Sequence, residues 1–167
     1  MTTCSASADP EWEYALSRVS RCAQTTHQIV QALQKKNVTE DNITRVVNKL
    51  IDYDLLNDNE YAASAVRTYQ REPGRSRRWI EQWLTTRGIP RDVAHDAVSV
   101  ITNDDDIQSA VHFLTRKHSS AVTDYLTNTH APSVRRAYAA LQRRGFSSTT
   151  ISSAFRCAAD EQTGGVT

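Results

Sequence analysis

The chain contains few residues that interrupt helices and no set of cysteines that suggests disulfides. Its 167 residues include 5 Gly, 4 Pro and 3 Cys. Scarce Gly and Pro, together with apolar residues that recur at helical spacing, predict an all-α protein. Because the three cysteines are an odd set without paired spacing, a reduced, cytoplasmic compartment is favoured over a secreted one.

The sequence also lacks long apolar segments. No apolar run approaches the ~20 residues that cross a bilayer. Residues 1–9 are small and polar, without the basic and apolar parts of a secretory signal. We therefore expect a cytoplasmic monomer without a membrane partner, whose residues 1–10 are disordered.

Residue patterns that carry catalysis or bind metals are missing as well. The five His lack the His-x-x-x-His and Glu-x-x-His spacings of metal sites, and the Gly residues form no phosphate-binding loop. Residues 104–106 are three consecutive Asp, which cannot all face one ion from a helix. We expect no enzymatic activity, no metal and no cofactor.

What the chain does contain is an internal repeat. Residues 33–38, 84–89 and 141–146 read LQKKNV, LTTRGI and LQRRGF. Each copy has the pattern of a helix end, a left-handed residue and the start of another helix. The leading leucines stand at positions 33, 84 and 141, so 51 and 57 residues separate the copies. This period predicts three tandem units of about three helices, over residues 11–54, 55–102 and 103–160, before a frayed tail at 161–167.

Cap and turn residues divide these units into nine expected helices. We expect Ser76 and Ser147 to cap helices, Pro132 to open one, and residues 103–106 to link the second and third units while capping the next helix. Leu55 and Leu56 are expected to pack the turn before residue 57. Residues 118–130 fit either a short helix or a loop.

Charge is segregated along the chain, although the net charge is only +1. Residues 52–60 and 104–106 are acidic. Residues 67–91 contain seven Arg against two Glu, and residues 135–156 contain five Arg and no acid. Such segregation predicts local basic patches on a nearly neutral molecule.

Arginines and one tryptophan are the candidates for contact with a partner. Arg136 and Arg143 are seven residues apart, so they share a helix face that the apolar residues do not use. Trp79 aligns with polar residues in the other repeats, whereas Trp83 aligns with Ala32 and Ala140 and is expected to be buried. The alternative is that the arginines only solvate helix faces. The candidates are Arg67, Arg71, Arg77, Arg78, Trp79, Arg87, Arg135, Arg136, Arg143 and Arg144.

Three motifs resemble those of the RecX family of regulatory proteins. Residues 55–67, LLNDNEYAASAVR, are similar to the family signature LLDD-x-x-F/Y-A-x-x-x-V-R. Residues 76–89 and 135–147 resemble the helix and turn that follow it and the signature of the third repeat. The likeness covers about residues 12–158. Asn57 and Asn37 depart from it, because the family has Asp and Gly there.

The resemblance implies three tandem three-helix units in an elongated, curved, right-handed or solenoid-like array. It implies a protein without chemistry of its own that lies in the groove of the RecA filament on single-stranded DNA. There it would modulate, usually inhibit, ATPase, strand-exchange and co-protease activities, while its own contact with single-stranded DNA would be weak or indirect. The residues leave two alternatives open, a helix-turn-helix DNA-binding protein and a passive helical scaffold.

Overall fold

The computed structural model describes residues 9–164 and folds them entirely into helices and turns, which confirms the all-α prediction. Most of the expected disordered N-terminus, residues 1–8, and the end of the expected tail, residues 165–167, lie outside this part. The helices in this part of the chain are α1 (Pro10–Val19), α2 (Thr26–Gln34), α3 (Glu40–Asp52), α4 (Asp58–Arg71), α5 (Arg77–Thr86), α6 (Arg91–Val98), α7 (Asn103–Lys117), α8 (Ser119–Thr127), α9 (Pro132–Arg143) and α10 (Ser148–Gly164).

Three separate hydrophobic cores correspond to the three repeats. Helices α1–α3, α4–α6 and α7–α10 each surround their own core, and the helix pairs that pack most closely all lie within one unit. Apolar residues at helical spacing produce this arrangement. In α3, for example, one buried stripe is formed by Ile43, Val46, Val47 and Leu50.

The repeated six-residue motif forms the same turn in each unit. The N–H groups of Val38, Ile89 and Phe146 donate to the carbonyls of Leu33, Leu84 and Leu141, at 3.2, 3.2 and 3.3 Å. The residue before each donor has positive φ: 58° at position 37, 83° at position 88 and 85° at position 145. This is the Schellman geometry that ends a helix, as the sequence predicts.

The third unit contains one helix more than the first two. The sequence allows either a short helix or a loop at residues 118–130. The structure has a helix there, α8, whose Ala121 and Val122 are buried in the core of this unit. Tyr125 stacks on Phe155 of α10 with ring centroids 4.9 Å apart. The side chains of Ala121, Val122 and Tyr125 lie on one face of α8. Burying all three in the core therefore favours a helix over a loop here.

Several expected boundaries differ in the structure. Pro10 begins α1 instead of ending a disordered segment, because the Asp9 carboxylate accepts a hydrogen bond of 3.1 Å from the N–H of Trp12. The acidic segment 103–106 does not cap α7. It forms the first turn of that helix, and Thr102 is the N-cap, joined reciprocally to Asp105.

The leucine pair before α4 and the C-terminal tail also differ from expectation. Leu56 is buried in the first core, so this core extends beyond residue 54, whereas Leu55 is 44% exposed. Asp54 has φ of 54°, and this left-handed residue reverses the chain just before the two leucines.

Helix α10 continues through residues 161–164 of the expected frayed tail. No helix among the described residues is long and apolar enough to span a membrane.

Candidate partner-binding surface

The second and third units are joined at the N-terminus of α5. Ser76 is fully buried, and its N–H donates to the carbonyl of Arg144 at 3.2 Å. Its hydroxyl accepts a hydrogen bond from the N–H of Trp79 at 3.1 Å and so caps α5. A Cβ atom on Gly145 would lie 2.5 Å from this hydroxyl. The helix cap of one unit therefore fits directly against the repeated turn of the next.

The first and second units are joined in the same way. Thr25, also fully buried, caps α2 and donates its hydroxyl hydrogen to the carbonyl of Arg87 at 2.8 Å. A Cβ atom on Gly88 would lie 2.2 Å from the Cβ of His27. Both junctions thus place a hydroxyl-bearing N-cap on the left-handed turn of the following unit.

Arg144 takes part in the junction between the second and third units. Its guanidinium donates to the carbonyl of Gly74 at 3.2 Å and lies 4.1 Å from the ring centre of Phe113. Burial, reinforced by the nearby charges of Arg75 and Arg143, lowers the pKa of Arg144. The sequence predicts that Arg144 contacts a partner protein, but in the structure its guanidinium contacts residues of the second and third units.

A carboxylate of α7 adds a further contact at this junction. The Asp106 side chain accepts a hydrogen bond of 2.8 Å from the N–H of Arg77 at the start of α5. Burial raises the pKa of Asp106, although this hydrogen bond and the charge of Arg77 act in the opposite direction. The acidic segment 103–106 therefore helps to fix the second unit on the third.

A cleft of about 580 Å³ opens beside the junction, between α5 and the turn from α9 to α10. Arg78 and Arg143 are exposed on its walls, and neither forms an ion pair within residues 9–164. The lining contains no acidic residue. It consists of Arg78, Trp79, Gln82, Gln142, Arg143, Gly145, Phe146, Ser147 and Ser148. This cleft therefore brings together three of the residues predicted to contact a partner: Arg78 and Trp79 of the second unit and Arg143 of the third.

The two tryptophans of α5 belong to one aromatic stack. Trp79 and Trp83 are stacked with centroids 6.5 Å apart, and Tyr69 meets both rings edge-on. Arg75 covers Trp79 at 4.1 Å, and Arg87 covers Trp83 at 4.4 Å. Both tryptophans are half-buried. The prediction that Trp79 is partly exposed agrees with this, but the prediction that Trp83 is buried is wrong. The equivalent Ala140 of the third unit is also only half-buried, so this helix position is not fully covered in every repeat.

Of the remaining candidate arginines, some contact neighbouring side chains and others are exposed. Arg67 forms an ion pair of 2.6 Å with Glu60, and Arg87 donates to the hydroxyl of Tyr61 at 3.1 Å. The side chains of Arg71, Arg77, Arg135 and Arg136 are exposed. Sequence reasoning missed the polar cleft residues Gln82, Gln142, Ser147 and Ser148. Of these only Gln142 lies in the repeated motif, which could have pointed to it.

No group of three or more His, Cys, Asp or Glu side chains within residues 9–164 is arranged to hold a metal ion.

Comparisons with known proteins connect this architecture to one family. The family model described as "RecX, second three-helix domain" matches residues 57–98, which correspond to α4–α6. The regulatory protein RecX of Bacillus subtilis is 32% identical over 143 residues, covering 84% of this chain and 52% of that protein. The one from Mycobacterium ulcerans is 28% identical over 127 residues, covering 76% and 72%.

Solved structures give the same result. The crystal structure of RecX from Lactobacillus salivarius superposes with a TM-score of 0.76 at 26% identity, covering 89% of this chain and 94% of that one. The chain spans about half the length of the Bacillus relatives that it matches.

Proposed function

Because the chain belongs to the RecX family, we propose that it regulates the RecA recombinase by binding the filament that RecA forms on single-stranded DNA. Bound there, it would inhibit ATP turnover, strand exchange and co-protease activity. We propose that it acts by binding alone, without chemistry of its own.

The observation that supports this proposal most is the set of exposed arginines on α5 and α9, which belong to two adjoining units. Arg78 projects from α5, and Arg135, Arg136 and Arg143 project from α9. Exposed arginine without a carboxylate partner favours phosphates or the acidic groups of another protein. A filament of protein on DNA offers both kinds of group along a repeating surface, and a tandem array can contact several repeats at once.

The helix-turn-helix alternative receives less support from the third unit. Helix α10, which follows the turn at Gly145, begins with Ser148, Thr149 and Thr150. Sequence-specific reading of the major groove relies mainly on Arg, Lys, Asn and Gln at such positions. We therefore expect tight binding to require the recombinase filament and not to occur on duplex DNA alone.

Filament binding by a charge-reversed variant tests the proposal. Arg136→Glu combined with Arg143→Glu should weaken binding to RecA filaments by roughly ten- to a hundredfold, if each arginine makes a charge-assisted contact. The salt dependence of binding should also become shallower, since fewer counter-ions are released.

A matched control separates this effect from a general loss of charge. Arg91→Glu with Arg116→Glu makes the same change in net charge at exposed positions of α6 and α7, outside the helices α5 and α9 that carry these candidate arginines. This control should retain most of the binding. Both variants should keep the parent's circular dichroism spectrum, and equal filament binding by the α9 variant and the parent would contradict a role for these arginines.

A further inference from the structure

We infer that a groove along α4, between the first and second units, binds a helical segment of the RecA protein that carries a large apolar side chain next to a lysine or arginine. The inference rests on the proposed function. It adds to that function the place and the chemistry of contact with the protein part of the filament.

The groove consists of two depressions that join along α4. Their volumes are about 220 Å³ and about 270 Å³, and Ala23, Tyr61 and Ser64 line both of them. The lining of the groove begins at Asn57 and ends at Tyr69 on α4, which is about 18 Å of helix at about 1.5 Å per residue. A groove of this length suits about three turns of a second helix, a common way of binding a protein segment.

One end of the groove is aromatic. Tyr61 stacks on Trp83 of α5 with ring centroids 6.4 Å apart, and Tyr69 meets Trp83 edge-on at 5.5 Å. All three rings are half-buried, so each still has surface that faces the groove. Ala65, on α4 between the two tyrosines, also lines this end. A small residue between aromatic ones leaves room for an apolar anchor, on which protein interfaces depend.

The other end of the groove is acidic. Asp54 and Glu60 line it, and both are exposed. Glu60 is paired with Arg67, whereas Asp54 forms no ion pair with any residue from 9 to 164. Within that part of the chain, no basic side chain lines either depression. The carboxylates at this end therefore favour a partner with a basic group beside its apolar anchor.

Exposed apolar side chains are concentrated at the acidic end. Leu55 lines the groove and is 44% exposed. Ile51 and Tyr53, which come just before it in the chain, are also large apolar residues with high exposure. Such clusters on a protein surface mark sites of interaction with other proteins. A partner helix that extends past Asp54 would cover them.

The charge and the aromatic contacts of the groove argue against nucleic acid as its occupant. A phosphate backbone is attracted to lysine and arginine, whereas Asp54 and Glu60 repel it. Base stacking needs the open face of an aromatic ring. Arg87 covers Trp83 at 4.4 Å, and Tyr61 stacks on the same indole. The groove therefore suits a protein segment, in contrast to the exposed arginines of α5 and α9.

Filament binding by a variant with a blocked groove tests the inference. Ser64→Arg places a long cation where the two depressions meet, so it displaces the apolar anchor and repels the basic group. Binding to RecA filaments should weaken at least ~10-fold. Ser17→Arg is the matched control, because it adds the same charge at an exposed serine of α1 that lines neither depression. It should bind like the parent.

A second variant tests the acidic end alone. Asp54→Asn removes the unpaired carboxylate but keeps a residue type that tolerates the left-handed φ of 54°. Filament binding should weaken roughly three- to tenfold, and its salt dependence should become shallower, since one attractive charge is lost. Circular dichroism checks that all three variants fold. An unchanged affinity for the Asp54→Asn variant would overturn the selection of a basic group.

Crosslinking identifies the class of the occupant. Thr68→benzoylphenylalanine, at an exposed position that lines the aromatic end, should form an adduct with RecA protein when filaments are irradiated. Thr115→benzoylphenylalanine is the control, since Thr115 is exposed on α7 and its hydroxyl donates to its own helix as that of Thr68 does. It should give little adduct.

The possible failures are distinguishable. An adduct of position 68 with DNA, or with a second copy of this chain, in place of RecA would overturn the inference. Equal filament binding by the parent and the folded Ser64→Arg variant would overturn it too. In each of these cases the parent still binds, so the proposed function stands. Absence of filament binding by the folded parent would overturn the proposed function and this inference together.

Discussion

A Cβ atom at Gly145 would lie 2.5 Å from the hydroxyl of Ser76, so the repeated turn of the third unit touches the helix cap of the second. The first and second units meet through Gly88 and Thr25 in the same manner. Asn37 occupies the corresponding turn of the first unit, where no unit precedes it among the described residues. This explains why the first turn has Asn in place of Gly: it needs the left-handed conformation but no close approach.

Gly145→Ala should therefore cost more stability than an equivalent change at Asn37. At position 145 the left-handed backbone adds roughly 1–2 kcal/mol with alanine, and overpacking against Ser76 adds about 1–3 kcal/mol. Asn37→Ala meets only the backbone cost, about 1 kcal/mol. Urea denaturation of the two variants measures the difference, and equal losses would show that the close contact contributes nothing.

The Thr25 hydroxyl should stabilise the junction between the first two units. Thr25→Val keeps the shape but removes both the cap of α2 and the donor to the Arg87 carbonyl, which should cost about 1–2 kcal/mol. Thr39→Val is the matched control, because Thr39 is the N-cap residue of α3 but makes no side-chain cap bond. Thermal unfolding should show a clear fall in Tm for the first variant alone. A similar change in both would mean that the inter-unit hydrogen bond is dispensable.

Substitutions of the two adjacent arginines at the end of α9 should affect stability very differently. Arg144→Gln loses the contact with Phe113 and the hydrogen bond to Gly74, so we expect a loss of about 1–3 kcal/mol. Arg143→Gln should change stability by less than about 0.5 kcal/mol, because its side chain is exposed and forms no ion pair with any residue from 9 to 164. Denaturant midpoints of the two variants check this, and equal midpoints would contradict the structural role of Arg144.

The Asp9 carboxyl should titrate well below an ordinary aspartate. Its hydrogen bond to Arg45, with a further one from the Trp12 N–H, lowers its pKa to about 2. Because the folded pKa is below the unfolded value of about 3.9, the stabilisation is complete above pH 3.9 and disappears as the pH falls towards 2. NMR titration of this carboxyl should give the low midpoint, and Arg45→Gln should move it upward. A midpoint near 4 in the parent would show that the ion pair does not form.

The extent to which the sequence predicts this structure differs between turns, helices and side-chain contacts. The three repeated turns are predictable because their left-handed residue and flanking apolar residues are local in sequence. Trp83 and Arg144 are not predictable in this way. Repeat alignment gives the direction of the Trp83 side chain but not the space available to it. Arg144 has no acid nearby in sequence, yet its acceptor is the carbonyl of Gly74, 70 residues away.

The candidate surface shows the same limit. Sequence analysis identifies the arginines as a set, because their segregation from acids is visible along the chain. It does not separate those held by neighbours, such as Arg67 with Glu60, from the exposed pair Arg78 and Arg143 that share one cleft. That separation depends on how the side chains of successive units pack, which the distribution of charge along the chain does not show.

The most direct test of the proposed regulation is the ATPase activity of RecA on single-stranded DNA, titrated with this protein. We expect ATP turnover to fall progressively and to be largely suppressed at or below one molecule of this protein per RecA. The Arg136→Glu, Arg143→Glu variant should need a clearly higher concentration for the same effect. Unchanged ATP turnover at equimolar amounts of the folded parent protein would contradict inhibition of the RecA filament.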